Sequence, residues 1–139
     1  MKKSILVITV LAFGLFACGQ TPPKSVTDNF SKKFASATKV KWVMEEENEW
    51  EAEFKMDGKE MSASFDKEGT WLETEKEISR KDLPATVSNA ITSKFPKAKI
   101  EEASEIQTPD FKGYEVALED GETEMEVLVT ADGKLTLKK

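Results

Sequence analysis

One arrangement of apolar residues occurs twice in this chain, and it sets both the number and the kind of elements. Val26, Phe30 and Phe34 recur at four-residue steps, and Val87, Ile91 and Phe95 do the same 61 positions later. Each set forms one stripe along a helix. Further on, Trp50-Glu51-Ala52-Glu53-Phe54 matches Tyr114-Glu115-Val116-Ala117-Leu118 at an offset of 64. Phe65 and Gly69 correspond to Val129 and Gly133 at 64, and Asp57-Gly58 to Asp120-Gly121 at 63. The offset grows around Gln107-Thr108-Pro109-Asp110, which fits a longer turn in the second copy. So many matches at nearly one spacing indicate an internal repeat.

Between the helical stripes the period is two. Trp50, Ala52, Phe54 and Met56 alternate with Glu49, Glu51, Glu53 and Lys55, and Met61, Ala63 and Phe65 alternate with Glu60, Ser62 and Ser64. In the second copy Tyr114, Val116 and Leu118 oppose Glu115, Ala117 and Glu119, while Met125, Val127 and Val129 oppose Glu124 and Glu126. Strands with one apolar and one wet face belong to an antiparallel sheet covered on one side. Asp57-Gly58 and Asp120-Gly121 read as tight hairpin turns. Helices are expected over about 25–36 and 83–95, with Pro84 in the first turn of the second and Pro96 ending it. The fold class is therefore α+β. It is a tandem repeat of a helix plus a four-stranded antiparallel sheet (α-β-β-β-β twice), with the helices packed on one sheet face and the repeats at about 25–76 and 83–139. The pattern leaves open whether the eight strands make one sheet or two.

The N-terminus adds an address. Lys2 and Lys3 precede an uncharged, mostly apolar run from Ser4 to Ala17. That run is shorter than the about 20 residues a membrane-spanning helix needs. It has the layout of an export signal. Leu15-Phe16-Ala17-Cys18 resembles a bacterial lipobox, so residues 1–17 are expected to be a lipoprotein signal peptide and Cys18 the lipidated first residue of the mature chain. Residues 18–24, with Pro22 and Pro23, form a short stiff linker before a domain at 25–139. Gly19-Gln20 offers no aspartate directly after the cysteine, which favours an outer-membrane anchor facing the periplasm.

The rest of the chain excludes more chemistry than it suggests. Cys18 is the sole cysteine and there is no histidine, so no disulfide, thiol nucleophile or Ser-His-Asp arrangement is available. No glycine-rich phosphate loop appears. No cofactor, metal site or catalytic residue is expected. Without residues 1–17 the chain keeps 18 basic against 26 acidic side chains, a net charge of −8. Such a surface repels phosphate backbones and argues against nucleic acid. Contact with the membrane is then expected only through the N-terminal lipid. The run Glu45-Glu46-Glu47-Asn48-Glu49 lacks the spacing of a calcium loop and reads as a solvated hairpin that discourages edge pairing.

Binding is what remains. Trp42 and Trp50 share phase with core positions. Trp71 and Leu72 compete for one side of a strand, which makes Trp71 the candidate exposed anchor. The wet face offers Glu49, Glu51, Glu53, Ser62 and Ser64 as further candidate protein-binding residues, suited to a basic partner.

The segment from about Phe34 to Leu137 resembles the PepSY-like, β-lactamase-inhibitor-like domains of Bacteroidetes envelope proteins. The resemblance is carried by Phe95-Pro96-Lys97-Ala98-Lys99-Ile100, the preceding Asp82-Leu83-Pro84 and Lys41-Trp42. Glu51-Ala52-Glu53-Phe54 and the turn Phe65-Asp66-Lys67-Glu68-Gly69-Thr70-Trp71-Leu72 complete it. It implies a tandem helix-and-sheet unit and an inhibitor-like grip on another protein. The expectation is an envelope lipoprotein acting as a non-catalytic protein-binding module whose partner is an envelope or secreted protein. The alternative is a periplasmic small-ligand or divalent-cation binding protein using the same acidic face.

Overall fold

A computed structural model describes residues 21–138. The proposed signal peptide, Cys18 and the first part of the linker lie outside the described residues. The elements run in the order α1 (Lys24–Lys33), β1 (Thr38–Glu46), β2 (Glu49–Met56), β3 (Lys59–Asp66) and β4 (Trp71–Glu77). After a 3-10 turn at Arg80–Asp82 come α2 (Ala85–Lys94), β5 (Lys99–Gln107), β6 (Lys112–Asp120), β7 (Thr123–Val129) and β8 (Leu135–Leu137). The fold is α+β, with one antiparallel sheet of eight strands in chain order and two helices. The question of one sheet or two is thus answered in favour of one. The described residues divide into two compact units, one running to Glu77 and taking in Ile106–Phe111, the other made of Ile78–Glu105 and the chain from Lys112.

In the first unit α1 is shorter than its stripe suggested. It ends at Lys33, and Phe34 leaves helical geometry at φ −125°, ψ 58° while its N–H still bonds to the Phe30 carbonyl at 2.8 Å. That bend turns Phe34 into the core beside Val26, Phe30, Trp50, Ala52, Phe54, Ala63 and Phe65. The core is aromatic: the Phe30 ring lies 5.1 to 5.3 Å from Phe34, Trp42 and Phe54, mostly edge to face. Edge-to-face contacts at these distances add stability beyond buried area. The Asp57-Gly58 turn has positive φ at both residues (52° and 75°), the geometry a two-residue hairpin loop needs. Gly69, at φ 88°, brings the β3–β4 turn against α1, where Asn29 Nδ2 donates to the Gly69 carbonyl at 2.8 Å.

The second unit has its own core of Leu83, Val87, Ile91, Ala103, Val116, Leu118, Val127 and Val129, all small or aliphatic. Pro84 stands one residue earlier than expected, as the N-cap of α2. Phe95 ends that helix with its N–H on the Ile91 carbonyl at 2.8 Å. The β6–β7 hairpin also departs from expectation. Asp120 pairs with Thr123, so the turn residues are Gly121 and Glu122, with Gly121 at φ 65°. The offset from Asp57-Gly58 is then 64 rather than 63, the same as that between Trp50 and Tyr114. Among the described residues, no helix is long and apolar enough to cross a membrane.

Candidate functional site

In the first unit the helix covers one side of the sheet, and strand alternation sends the polar side chains of β2 to the other. The register aligns them in rows. Val43 of β1, Glu51 of β2, Ser64 of β3 and Glu73 of β4 stand side by side, and Lys41, Glu53, Ser62 and Glu75 form the next row. The candidates Glu49, Glu51, Glu53, Ser62 and Ser64 therefore share one face. Glu45 and Glu73 join them.

Trp71 does not. It pairs with Phe65 and packs against the aromatic core on the helix-covered side. Its indole N–H donates to Thr74 Oγ1 at 2.8 Å, and Lys33 Nζ lies 4.0 Å from the ring centroid. The cause is a β-bulge. Phe65 pairs with Trp71 but Ser64 pairs with Glu73, which leaves Leu72 as the extra residue. A bulge re-aims the side chains on either side of it. Trp71 and Leu72 thus do not compete for one side of a regular strand, and the acidic row continues across β4.

The electrostatics of this face are unusual. Burial, reinforced by Glu45, Glu53, Glu73 and Glu49, pushes the Glu51 carboxyl up to about 7. Burial also raises Glu45, with Glu49, Glu53 and Glu46 adding to it. Glu49 is raised first by burial and then by Glu46 and Glu73, against a hydrogen bond from Ser64. Half-buried carboxylates with like-charged neighbours favour the protonated form. Among the described residues Glu51 has no ion-pair partner. Lys55, further along β2, pairs with Glu60 at 2.5 Å.

The polar face of the second unit is built otherwise. Glu115, 3% exposed, receives Lys138 Nζ on both carboxylate oxygens at 2.9 and 2.8 Å. Glu126 lies 3.7 Å from the same nitrogen. Nothing in the sequence pattern pointed to this clamp, because Lys138 falls beyond the last clear alternation. Glu45 and Glu73 were hidden for different reasons: the first by the density of acidic residues around it, the second by the bulge. Among the described residues no group of three or more metal-ligating side chains is placed to hold an ion.

Solved structures share this fold. A BLIP-like protein from Bacteroides fragilis superimposes with a TM-score of 0.77 at 24% identity, with 86% of each chain covered. A DUF2874 family protein from Bacteroides ovatus gives 0.74 at 23%, covering 86% of this chain and 89% of its own. Another DUF2874 family protein, from Bacteroides uniformis, gives 0.74 at 21%, covering 83% and 86%. No curated protein matches the chain in sequence. The model of one family, described as "Putative beta-lactamase-inhibitor-like, PepSY-like", matches residues 48–137, more than half of the 139 residues, and the chain belongs to that family.

Proposed function

We propose that this protein is a non-catalytic binding module of the cell envelope, anchored by lipid on Cys18, that holds a basic surface of another protein against the open face of β1–β4. Residues 25–76 and 83–139 are read as two copies of one helix-and-sheet unit, of which the first carries the binding face. The observation that carries this reading is Glu51, a half-buried carboxyl ringed by Glu45, Glu49, Glu53 and Glu73 and without an ion-pair partner among the described residues. Such a site costs stability in the isolated protein, and a positively charged partner offsets that cost. A family described as inhibitor-like supports a chain that works by holding a protein rather than by turning over a substrate. The lack of histidine and of a thiol in the mature chain agrees with that.

The test uses the mature chain against native envelope extract at moderate salt, beside a copy with Glu51→Lys and Glu53→Lys. A protein retained by the first and lost with the second is the expected result, and retention should fade as salt rises. Equal retention by both chains would remove the acidic face from the function. The anchor is tested separately by growth with a labelled fatty acid. Label should enter the natural chain and not a Cys18→Ser chain, and its absence from both would end the lipoprotein reading.

A further inference from the structure

The second unit shows how this kind of sheet face takes an ammonium group. Glu115 follows Tyr114, which pairs with Val129, and Glu51 follows Trp50, which pairs with Phe65. The two glutamates hold the same position in their own units. Lys138 reaches Glu115 from just past the last strand: Val127 pairs with Leu137, and the Lys138 N–H bonds to the Glu126 carbonyl at 2.9 Å. In the first unit Ala63 pairs with Thr74 and Ser62 with Glu75. Glu75 therefore stands where the second unit has its lysine. One unit closes its polar face with its own cation, and the other carries an acid at that position.

We propose that Glu51 receives the side-chain ammonium of a lysine supplied by a partner protein, seated as Lys138 is seated on Glu115. The proposal rests on the reading of the β1–β4 face as a protein-binding surface and names the group that face takes. The surroundings suit it. From β1 come Lys41 and Glu45, from β2 Glu49 and Glu53, with Lys55 held by Glu60. From β3 come Ser62 and Ser64, and from β4 Glu73 and Glu75. Carboxylates outnumber lysines among these residues, and Lys41 stands beside Glu53 in the next row. A single ammonium fits better than a flat guanidinium pair, because the template on Glu115 is one nitrogen shared by both oxygens. Proton and ammonium compete for the same carboxylate. With Glu51 held up to about 7, binding should weaken as pH falls from 8 to 6.

The probe is a hexalysine peptide, with its Nε-acetylated form as control, titrated into the mature chain by calorimetry at low salt. Side-chain carboxyl carbons are followed by NMR in parallel. The expected results are binding of hexalysine alone, weaker at pH 6 than at pH 8, and a fall of about one unit in the Glu51 midpoint on saturation. Glu51→Gln should lose about tenfold in affinity at pH 8, while Glu101→Gln, on an exposed position of the other unit, should lose nothing. Hexalysine binding with an unmoved Glu51 midpoint and an unaffected Glu51→Gln chain would overturn the proposal and leave the acidic face standing as a docking surface. No binding of hexalysine, with a partner still captured by the natural chain and lost on charge reversal, would overturn it too. Loss of both would sink the binding-face reading itself.

Discussion

The two units are made of the same order of elements and differ in how they treat their polar face. In the second, a glutamate that is almost fully buried is neutralised by Lys138, just past the last strand. In the first, the glutamate at the same place is surrounded by four others and has no ion-pair partner among the described residues. Burying a carboxylate is costly unless it is paired or protonated. The second unit takes the first route, and the first unit is pushed toward the other. A face whose charges are satisfied internally offers a partner little, whereas an unsatisfied one gains from contact. The cores differ in step with this. Five of the eight buried residues of the first core are aromatic, and the rings of Phe34, Phe54 and Phe65 lie 5.1 to 6.2 Å from that of Phe30. The second core is aliphatic throughout.

The largest effect is expected from removing the lysine of the second unit. Lys138→Met keeps the length of the side chain and leaves Glu115 buried beside Glu126 without its cation. Removing one member of a buried pair costs about 3 kcal/mol or more. Denaturant unfolding at pH 8 should show a loss of that size. An unchanged midpoint at pH 8 would mean that water already satisfies Glu115, and the two faces would then be alike.

A smaller effect separates the two β-turns that touch the helices. A methyl group at Gly69 would stand 2.6 Å from the Ser25 carbonyl oxygen, and φ is +88°. At Gly133 the nearest atom, the Thr86 carbonyl oxygen, is 3.3 Å away, with φ +90°. Positive φ costs an alanine about 1 kcal/mol in both turns, and the backbone clash adds about 1 to 2 kcal/mol at Gly69 alone. Gly69→Ala should therefore destabilise by about 2 to 3 kcal/mol and Gly133→Ala by about 1 kcal/mol. Equal losses would show that the first turn moves off α1 without penalty.

Much of the fold was legible because burial dictates period. The helical stripes of Val26, Phe30 and Phe34 and of Val87 and Ile91 mark residues of the two cores, and the alternation from Glu49 to Ser64 sets the polar residues on the face away from the helix, where Ser64 is nonetheless buried. What the pattern missed has local causes. The bulge at Leu72 breaks period two, which turns Trp71 inward onto the core instead of outward and brings Glu73 onto the polar face. Gly121 heads its turn, a shift of one residue that a Gly next to an Asp does not reveal. Both helices end before their apolar stripes do, because Phe34 and Phe95 continue the apolar spacing after leaving helical geometry. The contrast between Glu51 and Glu115 was invisible, since both lie in similar runs and only the register of β4 and β8 shows which one meets a lysine.

The finest test of the contrast is the pH dependence of stability. An unfolded glutamate titrates near 4.5, whereas burial and its neighbours hold Glu51 at about 7 in the fold. Between those values the folded chain binds the extra proton, so this residue makes stability fall as pH rises from 5 to 7 and leaves the full penalty in place above about 8. The side chain is only partly buried, and solvent screening reduces the penalty to about 1 to 2 kcal/mol. Glu51→Gln keeps the shape and removes the charge. It should be more stable than the natural chain by that amount at pH 8, nearly equal to it at pH 4, and should flatten the slope between. A gain at pH 8 that persists unchanged at pH 4 would point to packing rather than charge. No gain at any pH would mean that Glu51 is already satisfied in the isolated protein, and the first face would then have no more need of a partner than the second.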